Sequence, residues 1–150
     1  MKSFQEINIG DTLGPLELHI SKDQVRAYAK IMGFGDIAGR FTDDEAAKKE
    51  GLPGIILPGN MSLGLLTKLV TDWIGGDGGA RLSRIGTTYR VPVQPDRTVM
   101  IHGFVTNTNA SDRTAEIDVW IENEDAERLV TGTATVVEPA GMVNRRPTVL

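Results

Sequence analysis

In the C-terminal half of the chain, apolar and polar positions alternate. Ala115, Ile117, Val119 and Ile121 fall on one parity, and Glu116, Asp118, Trp120 and Glu122 on the other. This is the two-residue period of a strand with one buried face. Residues 82–91, 98–108 and 128–137 are comparable stretches set apart by polar loops, so a run of four strands is predicted, in the manner of a meander. Pro92, Pro95 and Asp96 break the first from the second.

The N-terminal half has a different period. Residues 1–15 are polar and turn-rich, punctuated by Gly10-Asp11 and Gly14-Pro15. Leu16, Leu18 and Ile20 alternate with Glu17 and His19 and predict a short, half-buried strand. Ser21 followed by Gln24 forms a capping box. Behind it Val25, Tyr28, Ala29 and Met32 recur at helical spacing until Gly33 and Gly35 end the helix. Residues 36–54 are irregular, with one charged turn of helix near 43–50. The segment 60–74 is apolar around most of its circumference, which predicts an enclosed helix rather than one lying on a surface. It ends in the glycine cluster at 75–79, which reads as a flexible turn because the Lys-Ser/Thr of a phosphate-binding loop is missing.

One enclosed helix and a run of antiparallel strands define an α+β fold, a curved antiparallel sheet wrapped around one long central helix. A sheet this small leaves part of the helix uncovered, and pairing of two such units edge to edge or back to back would cover it. Trp120, on the charged face of its strand, is either part of such a contact or a lone exposed aromatic. With 150 residues the chain is of single-domain length, residues 1–150 forming one unit whose end, 139–150, is expected to be a flexible tail or to dock on a partner.

Charge and composition narrow the chemistry. Sixteen basic against twenty acidic side chains give a net charge of −4, unlike the basic face of a nucleic-acid binder. The absence of cysteine removes thiolate metal sites, disulfides and Cys nucleophiles, and two histidines are too few for a His-rich metal site. No apolar run approaches the roughly 20 residues of a membrane span, and residues 1–6 lack a signal-peptide pattern. The expectation is a cytoplasmic protein with no metal, no nucleic-acid partner and no membrane association.

Several short motifs occur in a telling order. They are Phe4…Ile9-Gly10-Asp11, Tyr28…Gly35-Asp36…Thr42-Asp43…Ala46-Ala47, Gly51-Leu52-Pro53-Gly54, Pro58-Gly59-Asn60-Met61 and Tyr89-Arg90-Val91-Pro92-Val93. Together they resemble the MaoC-like, or (R)-specific enoyl-CoA hydratase, family of hot-dog-fold proteins, from Phe4 to about residue 138. The resemblance implies a hot-dog fold and addition or removal of water across the 2,3-bond of an acyl thioester. It implies a CoA thioester as substrate or ligand and no further cofactor. The family's loop has the form Gly-Asp-x-Asn-Pro-x-His. Here Gly35-Asp36 matches, Ala38 and Gly39 stand at the Asn and Pro positions, and Phe41 occupies the histidine position. No histidine lies anywhere between His19 and His102.

The reaction needs one group to take a proton from water, another to deliver one to carbon, and donors for the thioester oxygen. Asp36 is the retained member of the acid–base pair, and Phe41 can carry no proton. The resemblance places the oxyanion N–H at Gly59, where a helix start favours negative charge; the bare alternative is a turn glycine entering a helix. Thr67, two turns in, either helps hold the thioester or the catalytic loop, or bonds its own helix carbonyl. Arg40, Asp43 and Asp44 either substitute for the missing group or belong to a solvated loop and helix start. His19 reads as a surface residue. His102 shares a strand face with Met100 and Phe104 and reads as a partly buried, satisfied histidine, with reach into a neighbouring subunit's pocket as the alternative. Val70-Thr71-Asp72-Trp73 is also similar to a subset of the family, from steroid side-chain breakdown, in which one subunit carries the catalytic pair and its partner lacks it.

The expectation is therefore an acyl-CoA-binding, non-catalytic or weakly catalytic subunit of a hydratase assembly. It would act as a homodimer or as a heteromer with a catalytic MaoC-like subunit. One rival is an active enoyl-CoA hydratase using Asp36 with an unconventional second residue. The other is a stand-alone acyl-CoA binding or regulatory module.

Overall fold

Strand β1 (Thr12–His19) leads to helices α1 (Lys22–Ile31), α2 (Asp44–Lys49) and α3 (Gly59–Ile74), and these to strands β2 (Arg81–Tyr89), β3 (Thr98–Asn109), β4 (Thr114–Glu122) and β5 (Arg128–Val137). The computed structural model describes residues 2–75 and 79–139. The centre of the predicted glycine turn and nearly all of the predicted tail lie outside them.

The sheet order is β1-β3-β4-β5-β2, with every pairing antiparallel. Strands β3, β4 and β5 form a meander as predicted. Strand β2 does not precede β3 in the sheet; it joins the far edge, beside β5. The prolines account for this correction, since Pro92 and Pro95 offer no N–H to a ladder. Residues 90–97 instead carry the chain across the end of the sheet, tied down by Arg90 and Val91 N–H groups that both donate to the Leu129 carbonyl, at 2.9 and 3.1 Å.

Helix α3 packs against β1, β2, β3 and β4. Its Leu66, Leu69, Val70 and Ile74 join Ile101 and Val105 of β3, the alternate residues Ala115, Ile117, Val119 and Ile121 of β4, and Ala134 and Val136 of β5 in one core. The single chain encloses α3 on one side only. Asn60, Gly64, Lys68, Thr71 and Asp72 form an exposed stripe, with a Lys68–Asp72 ion pair one turn apart at 2.6 Å. The sequence is apolar around most of the helix, but these five positions line up on one face at a spacing of three or four.

Two local expectations shift. The Gly14-Pro15 pair lies inside β1 rather than before it, at a bulge between Leu13 and Leu16. Gly14 takes φ +80°, and a Cβ there would sit 2.6 Å from the Ile101 carbonyl oxygen, so glycine is what lets the bulged strand stay on β3. In α1 the capping box forms as expected: the Gln24 N–H donates to Ser21 Oγ at 3.1 Å and the Ser21 N–H to Gln24 Oε1 at 2.8 Å. Val25 and Ala29 are fully buried, whereas Met32 lies just past the helix end and is 47% exposed.

Asp44 pins α1 and α2 to the chain leading into α3. Its carboxylate accepts from Lys22 Nζ at 2.8 Å and from the Ile55 N–H at 2.9 Å. A Cβ on Gly54 would lie 2.7 Å from the same carboxylate. The Lys22 hydrogen bond, then the Ile55 N–H, hold the Asp44 pKa below its ordinary value. A carboxyl whose folded pKa is depressed stabilises the fold above its unfolded pKa, about 3.9, and loses that contribution as pH falls through the folded value. Urea midpoints measured from pH 6 downward should therefore decline more steeply below about pH 4 in the wild type than in Asp44→Asn. Parallel curves would remove Asp44 from the acid sensitivity.

Candidate functional site

The site is assembled from the loop before α2, the entry to α3 and the end of β2. Thr42 organises the loop: its Oγ1 accepts from the Gly39 N–H at 3.1 Å and donates to the Ile37 carbonyl at 2.8 Å. This tight turn sets Phe41 against Phe34, ring centroids 5.5 Å apart. The buried run Ile55-Ile56-Leu57 then threads between two backbone acceptors. The Ile56 N–H donates to the Arg40 carbonyl at 3.0 Å, and the Leu57 N–H to Val93 at 2.8 Å.

At Pro58 the chain turns into α3. Pro58 is the N-cap and supplies no side-chain acceptor. Its carbonyl accepts from the Met61 and Ser62 N–H groups at 3.0 and 3.2 Å, while the Gly59 and Asn60 amides have no acceptor among the described residues. Tyr89, at the end of β2, donates its hydroxyl to the Gly59 carbonyl at 2.6 Å. A Cβ on Gly59 would come within 2.9 Å of the Tyr89 ring, so the glycine admits Tyr89 to the helix start. A cleft of about 390 Å³ opens there, walled by Ile56, Leu57, Val91, Val93 and Val130.

Phe41 and Gly59 meet on this cleft, together with Arg40, Ser62, Tyr89 and Arg90. Asp36 is exposed and is not one of the cleft's lining residues. Thr67 also stands off the cleft, and its hydroxyl donates to the Leu63 carbonyl of its own helix at 2.9 Å. Arg40 pairs with Glu50, Arg90 Nε donates to Thr131 Oγ1 at 3.2 Å, and Asp43 caps α2 by accepting from the Ala46 N–H at 2.7 Å. No carboxylate or imidazole is present among the described residues lining the cleft. Nor do the described residues contain a group of three or more His, Cys, Asp or Glu placed to hold a metal ion. No helix among them is long and apolar enough to cross a membrane.

His19 is exposed. His102 lies on the outer face of the sheet, its Nε2 3.0 Å from Glu122 Oε1. It stacks on Trp120, ring centroids 5.2 Å apart. Trp120 is not a lone exposed aromatic: its Nε1–H donates to Glu122 Oε2 at 3.0 Å and the Arg128 guanidinium lies 4.1 Å above its ring. Sequence reasoning assigned no role to Ser62, Tyr89 or Arg90. For Ser62 the available signal was its spacing of three from Gly59, which puts both on one helix face. For Tyr89 and Arg90 the sequence offered only their place in the family-like motif Tyr89-Arg90-Val91-Pro92-Val93, not a place at the helix start, because β2 reaches it only through its position at the sheet edge.

A curved five-stranded antiparallel sheet packed on one long helix, with an apolar cleft at the helix start, is a hot-dog-fold protein. The chain belongs to the MaoC-like domain family, whose model matches residues 4–127. Similar solved structures include the ChsH1-ChsH2 complex from Mycobacterium tuberculosis (TM-score 0.76, 24% identity, 88% of this chain and 98% of that one). Another is the (R)-hydratase from A. caviae involved in PHA biosynthesis (TM-score 0.78, 21% identity, 90% and 99%). A third is the HadBC (3R-hydroxyacyl-ACP dehydratase) complex from M. tuberculosis (TM-score 0.67, 15% identity, 86% and 96%). No curated protein sequence matches significantly.

Proposed function

We propose that this chain binds acyl thioesters, as acyl-CoA, and serves as a non-catalytic or weakly catalytic subunit of a hydratase or dehydratase assembly. The observation that carries this reading is the lining of the cleft at the start of α3. It offers hydrogen-bond donors and apolar walls, but no carboxylate or imidazole among its described residues. A thioester oxygen at the Gly59 amide would meet the positive end of a 16-residue helix, where free N–H groups and the dipole favour negative charge. The acyl chain would lie along Val91, Val93 and Val130. Moving water onto the 2,3-bond also requires proton transfer in both directions, and Phe41 supplies none. Loss of a general acid or base typically slows a reaction by ~10²–10⁴-fold.

The partner is a second copy of the chain or, as the heteromeric ChsH1-ChsH2 and HadBC complexes favour, a related subunit carrying the complete aspartate–histidine pair. The test is turnover of 2-enoyl-CoA substrates of several chain lengths by the purified protein. The expected result is saturable binding with turnover at least ~10²-fold below that of a relative with both residues, rising when such a subunit is added. Robust turnover by the chain alone, abolished in Asp36→Asn, would overturn the silent-subunit reading and establish the rival hydratase.

A further inference from the structure

Ser62 is the one polar side chain buried among the described residues, at 1% exposure, and it lines the same cleft as Gly59. It lies three residues along α3 from Gly59, hence on the same helix face. A serine in a helix ordinarily turns its hydroxyl back to the carbonyl four residues earlier. Thr67 and Thr71 do this, donating to Leu63 and Thr67 at 2.9 Å each. For Ser62 that acceptor is the Pro58 carbonyl, whose two lone pairs already receive the Met61 and Ser62 N–H groups. Its Oγ makes no hydrogen bond to any described residue, and the residue lines the cleft. A hydroxyl this little exposed on a cleft wall, with no bond to a described residue, gains most when an occupant of the cleft accepts from it.

We propose that the Ser62 hydroxyl is a second donor for the ligand's carbonyl oxygen, so that the thioester is held between the helix-start amide at Gly59 and the Ser62 Oγ–H. This assignment rests on the acyl-thioester reading above. It adds to the selectivity of the amide: a ligand with no oxygen at that position leaves the hydroxyl unpaired as well as the amide. It also predicts opposite effects on the free protein and on its complex when the hydroxyl is removed.

The test compares butyryl-CoA with S-butyl-CoA, its thioether, in which a methylene replaces the carbonyl. Calorimetric titration of the full chain and of Ser62→Ala should show butyryl-CoA weakened about three- to tenfold in the variant and S-butyl-CoA unchanged. The melting temperature of the ligand-free variant should equal or exceed that of the wild type. Equal weakening of both ligands, no weakening of either, or a destabilised free variant would overturn the Ser62 assignment while leaving the acyl-thioester reading in place. If the wild type binds neither compound, the acyl-thioester reading fails, and the Ser62 assignment fails with it.

Discussion

Leu66→Ala should destabilise the fold by about 2–5 kcal/mol, one of the largest losses expected from a single side chain. Leu66 is 0% exposed and sits at the middle of α3 within the core cluster. Alanine keeps the helix, having the best intrinsic propensity, so the loss isolates the removed side-chain carbons and the void they leave. Domains of this size have a total stability of about 5–15 kcal/mol. At roughly 2–4 °C per kcal/mol the melting temperature should fall by about 5–20 °C. Lys68→Ala, two residues on and on the exposed stripe, should change stability by no more than about 0.5 kcal/mol. Urea unfolding with an unchanged slope would measure both. A Leu66→Ala loss below about 1 kcal/mol would mean that α3 is not the centre of the core.

Gly132→Ala should produce the second large effect, by a different route. A Cβ at this position of β5 would lie 2.3 Å from the Gly86 carbonyl oxygen and 3.2 Å from Thr87 Cγ2. The first of these is backbone and cannot rotate aside, so β2 must shift away from β5. Overpacking of this kind costs about 1–3 kcal/mol. Because β2 ends in Tyr89, whose hydroxyl is bonded to Gly59, the same shift should disturb the helix start and weaken thioester binding. Gly64→Ala provides the contrast, since a Cβ there meets open space and should stabilise the exposed helix face by up to about 1 kcal/mol. The measurements are urea midpoints and acyl-CoA affinity for both variants. Gly132→Ala with wild-type values of each would show that the β2 edge does not govern the site.

Much of this was legible in the linear chain because the signals are local. Strand β4 buries Ala115, Ile117, Val119 and Ile121 as its alternation predicts, since side-chain direction in a strand depends only on parity. The Ser21–Gln24 box forms because both partners lie within one turn. Where sequence reasoning went astray, the deciding contact was distant. The Gly14-Pro15 pair reads as a turn, yet Ile101 and the rest of β3 hold it in a strand. For Thr67 the sequence leaves both a role at the thioester and a bond to its own helix open, and the hydroxyl donates to Leu63.

Taken alone, the order of residues determined the element types, the alternating core face and the family, because each depends on neighbours within a few positions or on the order of short motifs along the chain. Only the folded chain decided that β2 closes the far edge of the sheet, that Tyr89 rests on Gly59, that Asp36 stands off the cleft and that Ser62 lines it from a buried position. Those facts depend on packing between segments tens of residues apart, where shape and the saturation of backbone acceptors, rather than local periodicity, select the arrangement.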